Sequence, residues 1–252
     1  MRLFNQGMVK RFGQVMSKSL GNGVSIDELA GAQGADAGRV YEMFIGPPEE
    51  DVEWSDAGLQ GVVKFLQRVW RLVLEPESIA SEAGALGAPV DAVALRRKLA
   101  QTVGKVTEHY DELRFNTAVA FLMELANAMQ DYLRGGGARD AEWDLSVRTL
   151  VKLLNPLAPH IGEEMWERLG EKGLLADASW PVFDGAAAAE PKVTLVVQVG
   201  GKLRDRLEVD SGLSEDAAVK LALASDKVRA ALDGRGPSKV IYVPDRLINL
   251  VP

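Results

Sequence analysis

The spacing of apolar residues changes once along this chain, and this change limits the possible folds more than any other feature of the sequence. Between residues 55 and 170, apolar side chains recur at steps of three or four, which is the period of an α-helix with one buried face. From residue 192 onward they alternate with polar side chains, which is the period of a β-strand. We therefore expect a mainly α chain, in which an antiparallel helical bundle is followed by a small α+β C-terminal domain.

The ends of the predicted helices are marked by capping residues and by helix breakers. Ser55 can cap the first helix, and the glycines at 135–137 can end a later one and let the chain reverse. The stretch 76–90, rich in Ala, Gly and Ser, is predicted to be a loop. A break is expected near Asn116, and Asp144 is expected to open the next helix.

Two irregular stretches flank the predicted bundle. Residues 1–40 are rich in glycine, with one short helix predicted over 25–31, where Ser25 and Glu28 have the spacing of a capping box. No strand is expected ahead of this stretch to hold it in place. Residues 173–191 contain two prolines and four consecutive alanines, and we interpret them as a linker.

The last sixty residues have the pattern of a small sheet with a helix. Alternating segments at 192–199 and 202–209 are separated by Gly200-Gly201, which indicates a hairpin with a two-residue turn. Ser214 is predicted to cap a helix. Two further short strands are predicted after that helix, at 238–243 and 246–251.

The composition excludes several kinds of site. The chain has no cysteine, which rules out disulfides, thiolate zinc sites and cysteine nucleophiles, and its two histidines leave little room for a metal site. We therefore expect no protein-bound metal, and chemistry that uses lysine, carboxylates, hydroxyls or backbone groups. The lack of cysteine suits a cytoplasmic protein, and no apolar run approaches the roughly 20 residues that cross a bilayer, so no membrane partner is expected.

The charge is spread unevenly along the chain. The net charge is −7, yet residues 1–20 hold four basic and no acidic side chains, and residues 192–252 hold ten basic against eight acidic ones. A strongly acidic middle therefore lies between two basic ends. A partner that bears phosphates is attracted to the ends and repelled from the middle, and indiscriminate binding to DNA is not expected.

One short motif near the N-terminus points to chemistry: Met16-Ser17-Lys18-Ser19. A lysine with neighbouring hydroxyls and free amides can bind a polyphosphate and stabilise negative charge that grows on it in a transition state. On the motif alone, a solvated basic loop is the favoured interpretation, because motifs this short recur by chance.

The surrounding sequence reverses that preference. Seven segments fall in the same order as in one protein family: VMSKSLGN at 15–22, GAD at 34–36, RVYEMFIGPPE at 39–49, DVEWSD at 51–56, LRFNTA at 113–118, PLAPHIGEEMW at 156–166 and VVQVGGKLRD at 196–205. By these segments the chain resembles the C-terminal part of the bacterial leucyl-tRNA synthetases, a family of class I aminoacyl-tRNA synthetases. The resemblance runs from Leu3 to the end of the chain.

The resemblance implies an ATP site in the first forty residues. Lys18 corresponds to the catalytic lysine that contacts the ATP phosphates during leucine activation, with Mg²⁺ accompanying the ATP. Met16, Ser17 and Ser19 shape the same ATP-binding loop. The chain departs from the family at Val15 and Leu20, where lysine is usual, so the loop carries less positive charge.

The resemblance also divides the chain into parts with separate roles. Residues 1–40 correspond to the end of a catalytic domain, and residues 41–172 to a helical bundle of the class I anticodon-binding type. Residues 173–191 form the linker, and residues 192–252 correspond to a small C-terminal domain that binds tRNA.

Three cations of the predicted hairpin are candidate tRNA contacts. Alternation places Lys202, Arg204 and Arg206 on one face of the second strand, where they could follow phosphates without reading sequence. Without the family resemblance, a plain exposed strand face is the favoured interpretation. Gly200 stands where the family has asparagine, which preserves the turn but removes a side chain.

Four other residues are interpreted as structural. His160 follows Pro159 at a predicted helix start, where a histidine more often caps or packs than catalyses. Trp70, Trp143 and Trp166 have helical core spacing, so we expect them to pack inside the bundle and not to stack on bases.

The function implied by the resemblance is ATP-dependent charging of leucine tRNA, to which this chain contributes the C-terminal portion. The family's nucleotide-binding unit, leucine pocket and editing domain are not found in the sequence, so we expect the reaction to require an N-terminal catalytic half, in cis or as a second chain. The alternative is a non-catalytic tRNA-binding module or an accessory subunit of a split synthetase. A third candidate, an acidic helical scaffold without an RNA role, is disfavoured by the basic hairpin.

Overall fold

The computed structural model describes residues 4–82 and 91–252, and the chain divides into two compact units, Met1–Ala188 and Ala189–Pro252. Within these described residues, the first unit is helical apart from three short strands, and the second combines a four-stranded sheet with two helices. The predicted mainly α fold with a small α+β C-terminal part is confirmed. No helix in the described part of the chain is long and apolar enough to cross a membrane.

The first unit is built from long helices that pack around a central one. Its elements in chain order are β1 (Val9–Arg11), β2 (Gln14–Val15), α1 (Ile26–Gln33), α2 (Ala35–Phe44), β3 (Val52–Glu53), α3 (Asp56–Leu74), α4 (Pro76–Ala80), α5 (Ala92–Asp111), α6 (Phe115–Arg134), α7 (Ala141–Leu154), α8 (Pro159–Arg168) and α9 (Gly185–Ala188). Helix α6 is the central one, since α2, α3, α4, α5 and α7 all contact it.

The core of this unit follows the apolar stripes of the sequence. Leu122, Leu125 and Met129 of α6 are completely buried, at steps of three and four residues. Each such side chain stabilises the fold by about 1.5–3 kcal/mol relative to exposure.

The three tryptophans pack in the bundle as predicted. Trp143 and Trp166 are buried, and Trp70 is partly buried against the same core. The guanidinium of Arg168 lies 5.0 Å from the centre of the Trp70 ring, so a cation covers part of that indole.

Three helix boundaries differ from the sequence prediction. Pro76–Ala80 is a short helix and not a loop, because proline is well suited to the first helical position, while 83–90 lies outside the described residues. Asp140, and not Asp144, caps α7, since its side chain accepts hydrogen bonds from the amides of Glu142 and Trp143.

The predicted break near Asn116 falls slightly earlier, at residues 112–114. Leu113 has a φ of 61° there, the left-handed conformation that ends many helices, and α6 begins at Phe115. Because glycine usually occupies this position, a leucine gives no sequence signal for the turn.

The N-terminal stretch is more regular than its glycine content indicates. Strand β1 pairs antiparallel with β2 and parallel with β3, so the prediction that residues 1–40 are irregular apart from one short helix is wrong. The partner strand β3 is distant in the chain, since Val9 pairs with Val52 and Lys10 with Glu53. Two residue pairs at that separation leave no local pattern in the sequence. The predicted cap is confirmed: Ser25 accepts a hydrogen bond from the Glu28 amide at 3.3 Å, and α1 follows.

Most of the predicted linker is packed against the first unit. Leu175 is buried, and the carboxylate of Glu163 accepts hydrogen bonds from the amides of Leu175 and Ala176 at 2.7 and 2.9 Å. The Trp180 indole donates to the hydroxyl of Thr107 at 2.8 Å, and α9 lies along α5. A buried leucine and a hydrogen-bonded tryptophan therefore fix much of the segment that was interpreted as a linker.

The second unit is a sheet with helices on one face. Its elements are β4 (Lys192–Val199), β5 (Lys202–Asp210), α10 (Glu215–Ala224), α11 (Asp226–Leu232), β6 (Lys239–Val243) and β7 (Leu247–Val251), and the strand order is β5-β4-β7-β6. The sheet's part of the core consists of Leu195, Val197, Val199, Val209, Ile248 and Leu250. The predicted hairpin, the helix capped by Ser214 and the two late strands are confirmed, while α11 is an addition.

Candidate functional site

A short hairpin holds the segment that carries Lys18. Phe12 and Gly13 connect β1 to β2 with φ angles of 58° and 75°, the turn type whose twist matches a two-stranded hairpin. The hairpin is fixed by backbone pairing to β3 and by an ion pair to the residue that precedes β3. The ammonium of Lys10 lies 2.7 Å from the carboxylate of Asp51, and this hydrogen bond lowers the pKa of Asp51.

The Lys18 loop, residues 15–22, is closed by hydrogen bonds of its own side chains. The side-chain oxygen of Asn22 accepts from the Ser17 amide at 2.9 Å, and the side-chain nitrogen of Asn22 donates to the Val15 carbonyl at 3.2 Å. The Ser17 hydroxyl accepts from the Leu20 amide at 3.3 Å and lies 3.2 Å from the Ser19 hydroxyl. The loop is therefore a defined turn and not a solvated coil.

Lys18 lies at the tip of this turn, and its side chain is exposed. Among residues 4–82 and 91–252, no carboxylate pairs with its ammonium and no hydrogen-bond acceptor contacts it. The Gly21 amide donates to the Lys18 carbonyl at 3.3 Å, and the φ of 63° at Gly21 closes the turn. The turn therefore presents an exposed positive charge on a fixed backbone, where it is accessible to an anion.

The two departures from the family sequence leave this turn intact. Val15 and Leu20 contribute their backbone carbonyl and amide to it, and their side chains are 36% and 58% exposed. Met16 packs against the core of the unit and anchors the N-terminal side of the loop. The lost lysine charges therefore change the electrostatics of the loop but not its hydrogen bonds.

Asp36 joins the N-terminal stretch to the bundle. One oxygen of this buried carboxylate lies 2.7 Å from Nδ1 of His160, and the other accepts from the amide of Ile161 at 2.7 Å. Asp36 thereby caps α8, while the His160 side chain remains 74% exposed. Together with Trp70 these residues line a mainly apolar cavity of about 660 Å³ between α2, α3 and α8.

The candidate cations of the second unit do not share one face. Val199 pairs with Lys202, Val197 with Asp205 and Val196 with Arg206, so one extra residue, Arg204, bulges from β5. Directly opposed residues point to the same side, which places Lys202 on the side of the buried Val199 and Arg206 on the other. The prediction of a common face is wrong for Lys202, because strict alternation cannot account for a bulge.

Asp205 ties the hairpin to the helices of its unit. Its carboxylate accepts from the hydroxyl of Ser225 at 2.6 Å and from the ammonium of Lys227 at 2.9 Å. These hydrogen bonds, first that of Ser225, lower the pKa of Asp205 to about 2. The turn itself is held by Asn249, whose side-chain oxygen accepts from the Gly201 amide at 3.0 Å.

A comparison with protein families identifies the helical region. The model of a family described as the anticodon-binding domain of tRNA ligase matches residues 93–219, half of the chain. The chain belongs to this family. The anticodon-binding domain match begins in α5, includes α6, α7 and α8, and continues into the second unit as far as α10.

Whole-chain comparisons agree with this assignment and confirm the resemblance to leucyl-tRNA synthetase. A leucine--tRNA ligase of Dehalococcoides mccartyi is 42% identical over 253 aligned residues, and one of Geobacter sp. (strain M21) is 43% identical over 260. Each alignment includes 99% of this chain, which spans only about 30% of the length of the relatives it matches.

A solved structure supports the same relationship. The Agrobacterium radiobacter K84 agnB2 LeuRS, solved as a ternary complex with tRNA and LeuAMS, superposes with a TM-score of 0.82 at 34% identity. The superposition covers 98% of this chain and 32% of that one. The fold of the anticodon-binding domain and its flanking parts is therefore that of a leucyl-tRNA synthetase segment.

Two residues that organise the site were not singled out from the sequence. Asn22 and Asp36 both lie inside family segments, but their roles depend on hydrogen bonds to the backbone. The available signal was their type, since asparagine and aspartate often hydrogen-bond to the backbone of turns and helix starts. In the described part of the chain, no group of three or more acidic or histidine side chains is arranged to hold a metal.

Proposed function

We propose that this chain forms the C-terminal portion of a leucine--tRNA ligase and contributes an ATP-phosphate loop and tRNA-binding domains to ATP-dependent leucylation of leucine tRNA. The observation that carries the proposal is the exposed ammonium of Lys18, which has no partner within the described part of the chain and stands on a hydrogen-bonded turn. The chain that holds it aligns over 99% of its length with leucine--tRNA ligases. The cytoplasm is the compartment that suits this role.

The proposed role of Lys18 follows from the charge changes of amino-acid activation. A carboxylate oxygen of leucine attacks the α-phosphorus of ATP, the aminoacyl-adenylate forms, and pyrophosphate leaves with additional negative charge. A positioned ammonium stabilises that charge in the transition state. Met16 fixes one end of the loop in the core, Ser17 and Ser19 fix its turn, and Mg²⁺ arrives with the ATP phosphates.

The proposed tRNA contacts divide between the two units. The bundle, residues 41–172, takes the role of the anticodon-binding domain, and residues 192–252 bind tRNA phosphates through Arg204 and Arg206, with Lys202 at the turn. The support for these contacts is exposure, since all three cations are exposed and, among the described residues, none forms an ion pair. A phosphate backbone is the ligand that such cations favour.

A fusion experiment tests the catalytic part of the proposal. The chain is joined to the remaining N-terminal portion of the Dehalococcoides mccartyi relative, and leucine-dependent ATP–pyrophosphate exchange and tRNA leucylation are measured. We expect no exchange by the chain alone and exchange by the fusion, reduced at least about a hundredfold by Lys18→Ala. Exchange by the fusion that is insensitive to Lys18→Ala would reject the role of Lys18. If the fusion shows no exchange while the chain alone binds leucine tRNA, the alternative of a non-catalytic tRNA-binding module is favoured.

A further inference from the structure

Asn22 holds both sides of the Lys18 loop with a single amide group. Its oxygen bonds to the amide of Ser17 and its nitrogen bonds to the carbonyl of Val15, so the side chain bridges the loop behind Lys18. Asn22 itself lies five residues after Ser17, at the point where the chain leaves the turn.

The remaining hydrogen bonds of the loop are longer. Without Asn22, the turn keeps two bonds of 3.3 Å, from the Gly21 amide to the Lys18 carbonyl and from the Leu20 amide to the Ser17 hydroxyl. It also keeps the 3.2 Å contact between the hydroxyls of Ser17 and Ser19. The Asn22–Ser17 bond, at 2.9 Å, is the shortest that the described residues make within the turn. Ser17 is the residue before Lys18, so this bond restrains the backbone next to the one from which the lysine side chain extends.

The bridge does not depend on the residues in which the loop departs from its family. It uses the carbonyl of residue 15, which any amino acid supplies, and it leaves the side chain of Leu20 in solvent. A loop that has lost two lysines therefore keeps the geometry that presents the remaining one.

We propose that Asn22 is the positioning residue for Lys18: it keeps the loop in the conformation in which the ammonium meets a polyphosphate. The proposal rests on the phosphate role of Lys18 given above. A ligand that binds one loop conformation loses apparent affinity in proportion to the fraction of molecules that leave it. Removing the bridge should therefore weaken phosphate binding without removing any group that touches the phosphate.

The test is a titration of the 252-residue chain with inorganic tripolyphosphate at low ionic strength, followed by the amide NMR shifts of residues 17–21. We expect Asn22→Ala to weaken binding by about threefold or more. Lys18→Ala should weaken binding at least as much. The double variant should bind tripolyphosphate with the same affinity as Lys18→Ala alone, because Asn22 acts through Lys18.

Asn249→Ala is the matched control. It removes the same amide group from a turn in the second unit, where the side-chain oxygen accepts from the Gly201 amide at 3.0 Å. It should leave the tripolyphosphate titration of residues 17–21 unchanged. Faster amide hydrogen exchange at Ser17 in Asn22→Ala would show that the bridge has been lost.

The outcomes separate this inference from the proposed function. Unchanged affinity in Asn22→Ala, with reduced affinity in Lys18→Ala, would overturn the positioning role and leave the phosphate role standing. Independent, multiplicative losses in the double variant would also overturn it, since Asn22 would then act without Lys18. Unchanged affinity in Lys18→Ala would reject the phosphate role itself.

Discussion

The carboxylate of Asp36 in α2 lies 2.7 Å from Nδ1 of His160 in α8, although 124 residues separate the two positions in the chain. The same carboxylate accepts from the amide of Ile161 and so serves as the cap of α8, a helix that begins with proline and has no cap from its own preceding residue. The contact fixes the stretch after the Lys18 loop to the helical bundle.

Asp36→Ala should destabilise the first unit more than His160→Ala. The aspartate change removes a helix cap and leaves the Ile161 amide without its partner, which costs about 1–2 kcal/mol. The histidine change removes an exposed ring and keeps the cap, so we expect less than about 0.5 kcal/mol. Urea unfolding followed by circular dichroism measures both; equal effects would contradict the capping role.

Gly7→Ala should disrupt the small sheet that holds the Lys18 loop. A Cβ at Gly7 would lie 2.0 Å from the carbonyl oxygen of Glu50, and backbone atoms cannot move aside as a flexible side chain can. We expect the free energy of unfolding to fall by about 2 kcal/mol or more. We also expect faster hydrogen exchange of the Val52 amide, which donates to the Met8 carbonyl in the native structure. Gly23→Ala is the control, because no atom lies within 4 Å of the position that a Cβ would take there and the φ of Gly23 is not left-handed.

The stability of the second unit should fall in acid through Asp205. Its pKa is about 2 in the folded chain and about 3.9 in an unfolded one, so the stabilisation is present above about pH 4 and is lost as the pH falls toward 2. Ser225→Ala removes the largest contribution to this shift, and we expect the acid midpoint of unfolding to rise. Ser238→Ala, whose hydroxyl bonds to backbone carbonyls, should leave the midpoint in place.

Arg204→Gln and Arg206→Gln should each weaken leucine tRNA binding and lower its salt dependence. A lost phosphate contact reduces the slope of log K against log salt by about one. Filter binding from low to physiological salt measures the slope. Arg229→Gln is the control, because Arg229 forms an ion pair with Asp226 on α11. If the salt dependence falls as much in this variant as in Arg206→Gln, the hairpin has no specific role in tRNA binding.

The elements that local sequence determines were predictable, and those set by distant contacts were not. Ser25 and Ser214 cap helices through amides three residues away, so both caps were visible in the sequence. The α6 stripe likewise reflects its own period. In contrast, the β1–β3 pairing joins Val9 to Val52, and neither residue indicates the other.

The same distinction applies to the candidate site. Lys18 was identified because its motif is contiguous, but the bridge made by Asn22 is a matter of side-chain direction, which spacing does not determine. The error at Lys202 has a similar origin. The turn places Lys202 opposite Val199 and the rest of β5 places Asp205 opposite Val197, which leaves one extra residue that the spacing of the sequence does not reveal.

The bulge gives β5 an unusual tolerance to change in length. Deleting Arg204 would leave Lys202 opposite Val199 and Asp205 opposite Val197, so both the turn and the core face would keep their partners. Deleting a residue further along the strand would instead reverse the side of the residues between that point and the bulge. Among related chains, single-residue gaps in this hairpin should therefore cluster at the position of Arg204.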